Sequence, residues 1–279
     1  MADTMRNRRD PVPPDSTAAA LPAPVDGFAW RASRAGLTLV CRPLEAYAAH
    51  LFTTREWRLG SAADDRDAGW QQVAEVMDVE APQLARLHQV HGGAVVVRRR
   101  GDAVIADAPL PDADVLVSND PAVAVAIQTA DCVPLLIADG ATGAVAAAHA
   151  GWRGLAAGVP GIAVRAMRDA FGTTPANLVA AIGPSICAEN YEVDVVVRAG
   201  FEASGATERQ LARWFRPGRR DGHWQFDGWQ SAIDQLQEAG VPRAAIHAAR
   251  LCTAAHPQLC SYRRDGKGAG RIAAAIRAR

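Results

Sequence analysis

Between Val123 and Ala150 the chain carries three closely spaced apolar runs, Val123–Gln128, Pro134–Ala138 and Ala144–Ala148, separated only by short polar or glycine-containing segments. Runs this short and this apolar read as strands buried on both faces rather than as amphipathic surface strands. They are also far below the roughly 18 residues that a membrane span needs. Buried strands need other elements packed on them.

The flanking sequence supplies them. GLTLVCR at Gly36–Arg42, AVVVR at Ala94–Arg98, Val115–Ser118, Leu178–Ile182 and Ala245–Ala248 read as further strands. Asp67–Val79, Leu155–Phe171, Val193–Ala203 and Trp229–Ala239 have helical spacing. Pro160 and Gly161 weaken the start of the second helix, whereas Gly240-Val-Pro242 gives the last a stop. Arg271–Arg279 ends the chain as a strand or a helix. Strands interleaved with helices predict an α/β (α+β) domain, and the mixed spacing does not fit a simple doubly wound sheet.

Residues 1–26 are rich in Pro and Ala and read as a disordered tail, leaving 27–279 as a single domain with no internal linker or repeat. The tail lacks the apolar stretch of a secretory signal, and Arg8-Arg9 is followed by Asp10 and prolines. With 279 residues, 49% of them apolar, the chain can bury a large core. Its formal net charge is +0, which argues against broad electrostatic binding to nucleic acid or a membrane surface. The five cysteines are odd in number, widely spaced and without a C-x-x-C pair, which predicts reduced thiols and a cytoplasmic location. No feature reports the oligomeric state.

Chemistry concentrates in three segments: LHQVHGG at Leu87–Gly93, QTADCVP at Gln128–Pro134 and AHAGWRG at Ala148–Gly154. Each sets a His or Cys among small residues at an expected strand end, where backbone or ligand can approach closely. His91, Cys132 and His149 form a three-donor set for a catalytic zinc with the fourth position open. The same donors suit copper. His88 is a rival to His91, which is preferred because Gly92-Gly93 opens space beside it. Gly151-Trp-Arg-Gly154 is either a tight strand-to-helix turn or an anion site in which Arg153 supplies the charge. SYRRDG at Ser261–Gly266 is a second dense polar cluster, open to either a structural or a binding role.

Together these segments resemble the YfiH-like, laccase-domain family. The match runs through QVHG at Gln89–Gly92, TADCVPLL at Thr129–Leu136, AAHAGWRGLAAGV at Ala147–Val159, IGPSI at Ile182–Ile186, YEV at Tyr191–Val193 and SYRRDG, in that order. Family members are called polyphenol oxidase or laccase, purine nucleoside phosphorylase, and peptidoglycan editing factor. The resemblance implies an α/β sandwich of mixed sheets wrapped by helices, with a zinc site at His91, Cys132 and His149. It also implies phosphorolysis of adenosine, inosine or guanosine, with adenosine deamination and methylthioadenosine cleavage as associated activities. Arg153 and Arg55 are then expected to steady the anionic nucleophile. Asp131 is expected to act as a base or to orient a ligand histidine. The chain departs from the family pattern after Thr53-Thr-Arg55, where the usual TRxGGVS…SLNLG segment is shortened and Asp64-Asp65 arrives early.

Three other readings compete. One is a cysteine-based hydrolase acting on cell-wall material, with Cys132 as nucleophile and His149 or His91 as base. Another is a nucleoside-binding protein without turnover. The third, copper-dependent polyphenol oxidation, needs a type 1 centre and a trinuclear cluster, and seven histidines with no H-x-H pair do not supply them.

Overall fold

The computed structural model describes residues 21–25, 27–60, 66–105 and 108–279. Strands run in chain order as β1 (Phe28–Ser33), β2 (Gly36–Cys41), β3 (Ala48–Thr53), β4 (Leu84–Ala85), β5 (Val95–Arg98), β6 (Val115–Ser118), β7 (Ala124–Thr129) and β8 (Val133–Asp139). They continue with β9 (Val145–Ala150), β10 (Leu178–Ile182), β11 (Glu192–Val193), β12 (Phe215–Pro217), β13 (Trp224–Phe226), β14 (Ile246–Ala248) and β15 (Ile272–Ala278). The helices are α1 (Arg42–Glu45), α2 (Arg66–Val76), α3 (Trp152–Ala156), α4 (Val159–Phe171), α5 (Val195–Ala203), α6 (Glu208–Trp214), α7 (Gly228–Glu238) and α8 (Tyr262–Asp265).

Two six-stranded mixed sheets result, ordered β1-β2-β3-β15-β7-β4 and β14-β10-β8-β9-β6-β5. Side-chain alternation explains why their strands are apolar throughout. On β8, Leu136 and Ala138 join Val125, Ile127, Ala274 and Ile276 in the core between the sheets, whereas Leu135 and Ile137 face Val164, Met167 and Ile233 of α4 and α7. On the far side, Ala124, Ala126, Ala273 and Ala275 pack on Val73 and Ala74 of α2 and on Met77 just after it. The order of layers is therefore helix, sheet, sheet, helix: the α/β sandwich expected from the sequence, with alanine-rich strands where the packing is closest.

Several boundaries shift for local reasons. The helix expected over Leu155–Phe171 is two helices, because Gly158 sits at φ +80 and Pro160 opens the second. The helix expected from Val193 starts at Val195, since the Asp194 side chain caps it by accepting from the Val196 N–H and Val193 pairs in β11. The C-terminal segment is a strand, β15, held between β3 and β7. Of the tail expected over 1–26, residues 1–20 and 26 lie outside the described residues. Val25 packs against the core and the Pro22 carbonyl accepts from Trp30 Nε1. Asp64-Asp65 also lies outside the described residues. Among the described residues no helix is long and apolar enough to cross a membrane.

His50 on β3 gives this core a pH signature. It is 7% exposed; its Nε2 accepts from the Cys41 N–H at 2.8 Å, and Nδ1 faces the Ala48 carbonyl at 3.2 Å. Burial lowers its pKa to about 4, against the opposing pull of the Ala48 carbonyl. Since the unfolded chain takes up this proton near pH 6.5, the contribution of His50 to stability is complete above that pH. It is lost as pH falls toward 4. The expected loss across the window is about 3 kcal/mol. Melting temperatures of the protein and of His50→Gln between pH 7.5 and 4 should therefore diverge, the variant showing the shallower acid limb.

Candidate active site

Strand register assembles the site. In β8 and β9, Pro134 pairs with His149 and Val133 with Ala150, which brings His149 beside Cys132 at the entry to β8. The loop after β4 delivers His91. The nearest donor atoms of His91, Cys132 and His149 all lie within 4.8 Å of one another, and the two imidazoles meet edge to face at 4.8 Å between centroids. That separation is somewhat wider than the about 3.3–3.8 Å edges of a tetrahedron built on 2.0–2.3 Å ligand bonds. His91 has φ 60 and Asp131 has φ 86, so two non-glycine residues of the site occupy strained backbone.

Asp114 holds this arrangement together. It immediately precedes β6, whose Val115 pairs with Ala148, so it lies beside His149. It is 0% exposed. Its Oδ1 accepts from His149 Nδ1 at 2.7 Å and from the His91 N–H at 3.1 Å; Oδ2 accepts from the Gly92 N–H at 2.6 Å and the Val90 N–H at 3.3 Å. One carboxylate thus takes His149 Nδ1, leaving Nε2 to face Cys132, and shapes the His91 loop. Burial pushes the Asp114 pKa up, but the His149 and Gly92 hydrogen bonds more than offset this and hold it below the usual carboxylate range.

The thiol is tuned in the same way. Burial raises the Cys132 pKa, yet the neighbouring charge and hydrogen bonds of His149 and His91 bring it down to about 6. Burial lowers that of His149, and Cys132 together with Asp114 raises it to about 9. A thiolate donor and two imidazoles at this spacing fit a metal ion chemically. Gly151 leaves room for them: a Cβ there would lie 3.0 Å from Cys132 Sγ and 3.1 Å from His91 Cδ2. Its φ of -68 suits any residue, so Gly151→Ala tests space alone. We expect the variant to keep its melting temperature but to bind metal about tenfold more weakly, measured by chelator competition.

These donors line a cavity of about 680 Å³, of a size to enclose a small organic ligand. Trp152, Leu155, Ile186, Tyr191 and Phe226 give it an apolar wall; Gln89, Gln128, Asp131, Arg263 and Arg271 are its polar elements.

The other residues singled out by sequence fall elsewhere. Asp131 lines the cavity, but its carboxylate accepts from the Thr253 hydroxyl and the Arg263 N–H, both at 2.6 Å, and the carboxylate that orients His149 is Asp114. Arg153 stacks on the Trp152 ring at 4.4 Å, outside the cavity lining, and α3 beneath it has only five residues. Arg55 pairs with Asp265 and is also outside the lining. His88 bonds Asp112 at 2.6 Å on the exposed rim, apart from the three donors. Of SYRRDG, Arg264 is structural, donating to the carbonyls of Thr253, His256 and Leu259, whereas Tyr262 and Arg263 reach the cavity. All five cysteines are unpaired.

With the fold and the three-donor cavity in view, comparison with known proteins places the chain. The family model described as multi-copper polyphenol oxidoreductase laccase matches residues 58–279. The chain belongs to this family, the YfiH-like laccase-domain proteins. A protein of Streptomyces coelicolor named purine nucleoside phosphorylase is 36% identical over 222 residues, covering 78% of this chain and 86% of the relative. One of Deinococcus radiodurans, with the same name, is 38% identical over 241 residues, covering 81% and 88%. Among solved structures, YlmD from Geobacillus stearothermophilus superposes with a TM-score of 0.79 at 28% identity, covering 90% of this chain and 98% of that one. The Bacillus licheniformis YfiH structure shares the fold with a TM-score of 0.80, at 24% identity and 90% and 99% coverage.

Proposed function

We propose that the protein is a zinc-dependent purine nucleoside phosphorylase acting on adenosine, inosine and guanosine, with adenosine deamination and methylthioadenosine cleavage in the same cavity. The observation that carries this reading is the set of His91, Cys132 and His149, oriented by buried Asp114, opening onto a cavity of about 680 Å³ with an aromatic wall. The names of the Streptomyces coelicolor and Deinococcus radiodurans relatives support it.

His91, Cys132 and His149 would hold the ion, which supplies Lewis acidity and an activated water. Asp114 holds the His149 imidazole through Nδ1 and fixes the backbone that carries His91. Tyr191, Phe226 and Trp152 offer flat apolar surface to a purine. In phosphorolysis an oxygen of hydrogen phosphate bonds to C1′ of the ribose as the C1′–N9 bond breaks. The electron pair leaves with the purine, which takes up the phosphate proton. Arg153 steadies the Trp152 wall from outside, and Arg55 holds Asp265.

A second reading has its own support: Cys132, His149 and Asp114 also make a thiolate–imidazole–carboxylate relay suited to a cysteine hydrolase. Copper-dependent polyphenol oxidation has less, since His91, Cys132 and His149 are the one such donor group among the described residues. Metal analysis with a nucleoside screen separates these readings. The proposal expects about one zinc per chain, loss of activity on chelation, and base release that requires phosphate. Activity that survives chelation but not thiol alkylation would assign the hydrolase instead, and nucleoside binding without turnover would remove the catalytic reading.

A further inference from the structure

Three donors in the cavity have no anionic partner among the described residues. Arg263 and Arg271 both line it, and among the described residues neither has a carboxylate within ion-pair distance. Their neighbours Arg55 and Arg264 both pair with Asp265. Arg271 is pinned: its Nη1 donates to the Ala269 and Gly270 carbonyls at 3.0 Å, and its stem lies over Gly60, where a Cβ would stand 2.5 Å from Arg271 Cγ. Arg263 is fixed over the Tyr191 ring at 5.2 Å, with Nη1 on the Asn190 and Glu192 carbonyls.

Thr129 supplies the independent observation. It lines the same cavity and is 2% exposed, yet its hydroxyl has no hydrogen-bond partner among the described residues. A buried hydroxyl of this kind is destabilising unless an acceptor reaches it. Chain register also sets it close to both arginines. Thr129 pairs with Ile272, next to Arg271, and two residues on Asp131 accepts the Arg263 N–H. Asp131, the carboxylate among the described lining residues, has its oxygens taken by Thr253 and Arg263.

We infer that Arg271, Arg263 and the Thr129 hydroxyl form the oxyanion subsite of the cavity, binding phosphate as inorganic phosphate or as the ester group of a sugar phosphate. Guanidinium groups match tetrahedral oxyanions in charge and in donor geometry, and the hydroxyl gives a third donor. The inference rests on the phosphorolysis reading for its biological ligand, and it moves the anion contact from Arg153 and Arg55 to residues inside the cavity.

The test is titration of the metal-loaded protein with inorganic phosphate, followed by calorimetry, in parallel with the KM for phosphate. Thr129→Val is the decisive variant, because a merely structural threonine and a binding threonine give opposite results. We expect its melting temperature to hold or rise, as the orphan hydroxyl is removed, while phosphate affinity falls roughly three- to tenfold. Arg271→Gln and Arg263→Gln should each weaken phosphate roughly 10- to 100-fold, with Arg271→Lys recovering part of the loss. Inosine affinity should stay within about twofold in Thr129→Val and Arg271→Gln. Phosphate affinity unchanged in Thr129→Val and both glutamine variants would overturn the subsite, as would the absence of saturable phosphate binding to the unmodified protein. Saturable binding that weakens as expected in a protein that cleaves no nucleoside would uphold the subsite and remove the phosphorolysis reading.

Discussion

Cys132→Ala is expected to lose nucleoside cleavage altogether, with kcat/KM falling at least roughly a thousandfold, about 4 kcal/mol of transition-state stabilisation. Two imidazoles without the thiolate hold zinc weakly and leave its chemistry incomplete. The fold should tolerate the change, because Cys132 sits at the turn before β8 and its sulfur faces the cavity rather than the core. Metal content and circular dichroism on the same sample check this. Lost activity with metal retained at full occupancy would instead identify Cys132 as a nucleophile.

Asp114→Asn should act on structure and site together. The carboxylate accepts four N–H groups, whereas an amide of the same shape turns a donor toward one pair of them. We expect a destabilisation of about 3 kcal/mol and metal affinity lower by about 10- to 100-fold. The linkage sign follows from the depressed pKa of Asp114: its contribution is complete above the ordinary carboxylate range and is lost as pH falls through the folded-state value. Urea melts at pH 7 and in acid should therefore differ less in the variant than in the unmodified protein. Unchanged metal affinity in Asp114→Asn would mean that His149 needs no carboxylate to orient it.

The contrast between Cys132 and Asp114 shows what is readable in a chain of this kind. Val123–Gln128 and Pro134–Ala138 announced buried strands because both their faces are apolar, and the structure covers one face with a second sheet and the other with helices. The three donors were legible because each stands among small residues at a strand end. Asp114 was not: within PDADV it reads as a loop acid, and only the pairing of β6 with β9 sets it against His149. Long-range register leaves no local mark. For the same reason Arg271, at the head of a strand from the far end of the chain, did not read as a cavity residue, whereas Arg153, close to His149 in sequence, did. Strand β3 was missed because AAHLFT is apolar without β-branched alternation; its place is set by β15 and β2 on either side.

The measurement that bears most directly on this account is the fate of inosine with the zinc-loaded protein, with and without inorganic phosphate. Equal amounts of hypoxanthine and ribose 1-phosphate, formed only when phosphate is present, are the predicted result. Hypoxanthine released at the same rate without phosphate, or no release at full zinc occupancy, would contradict it.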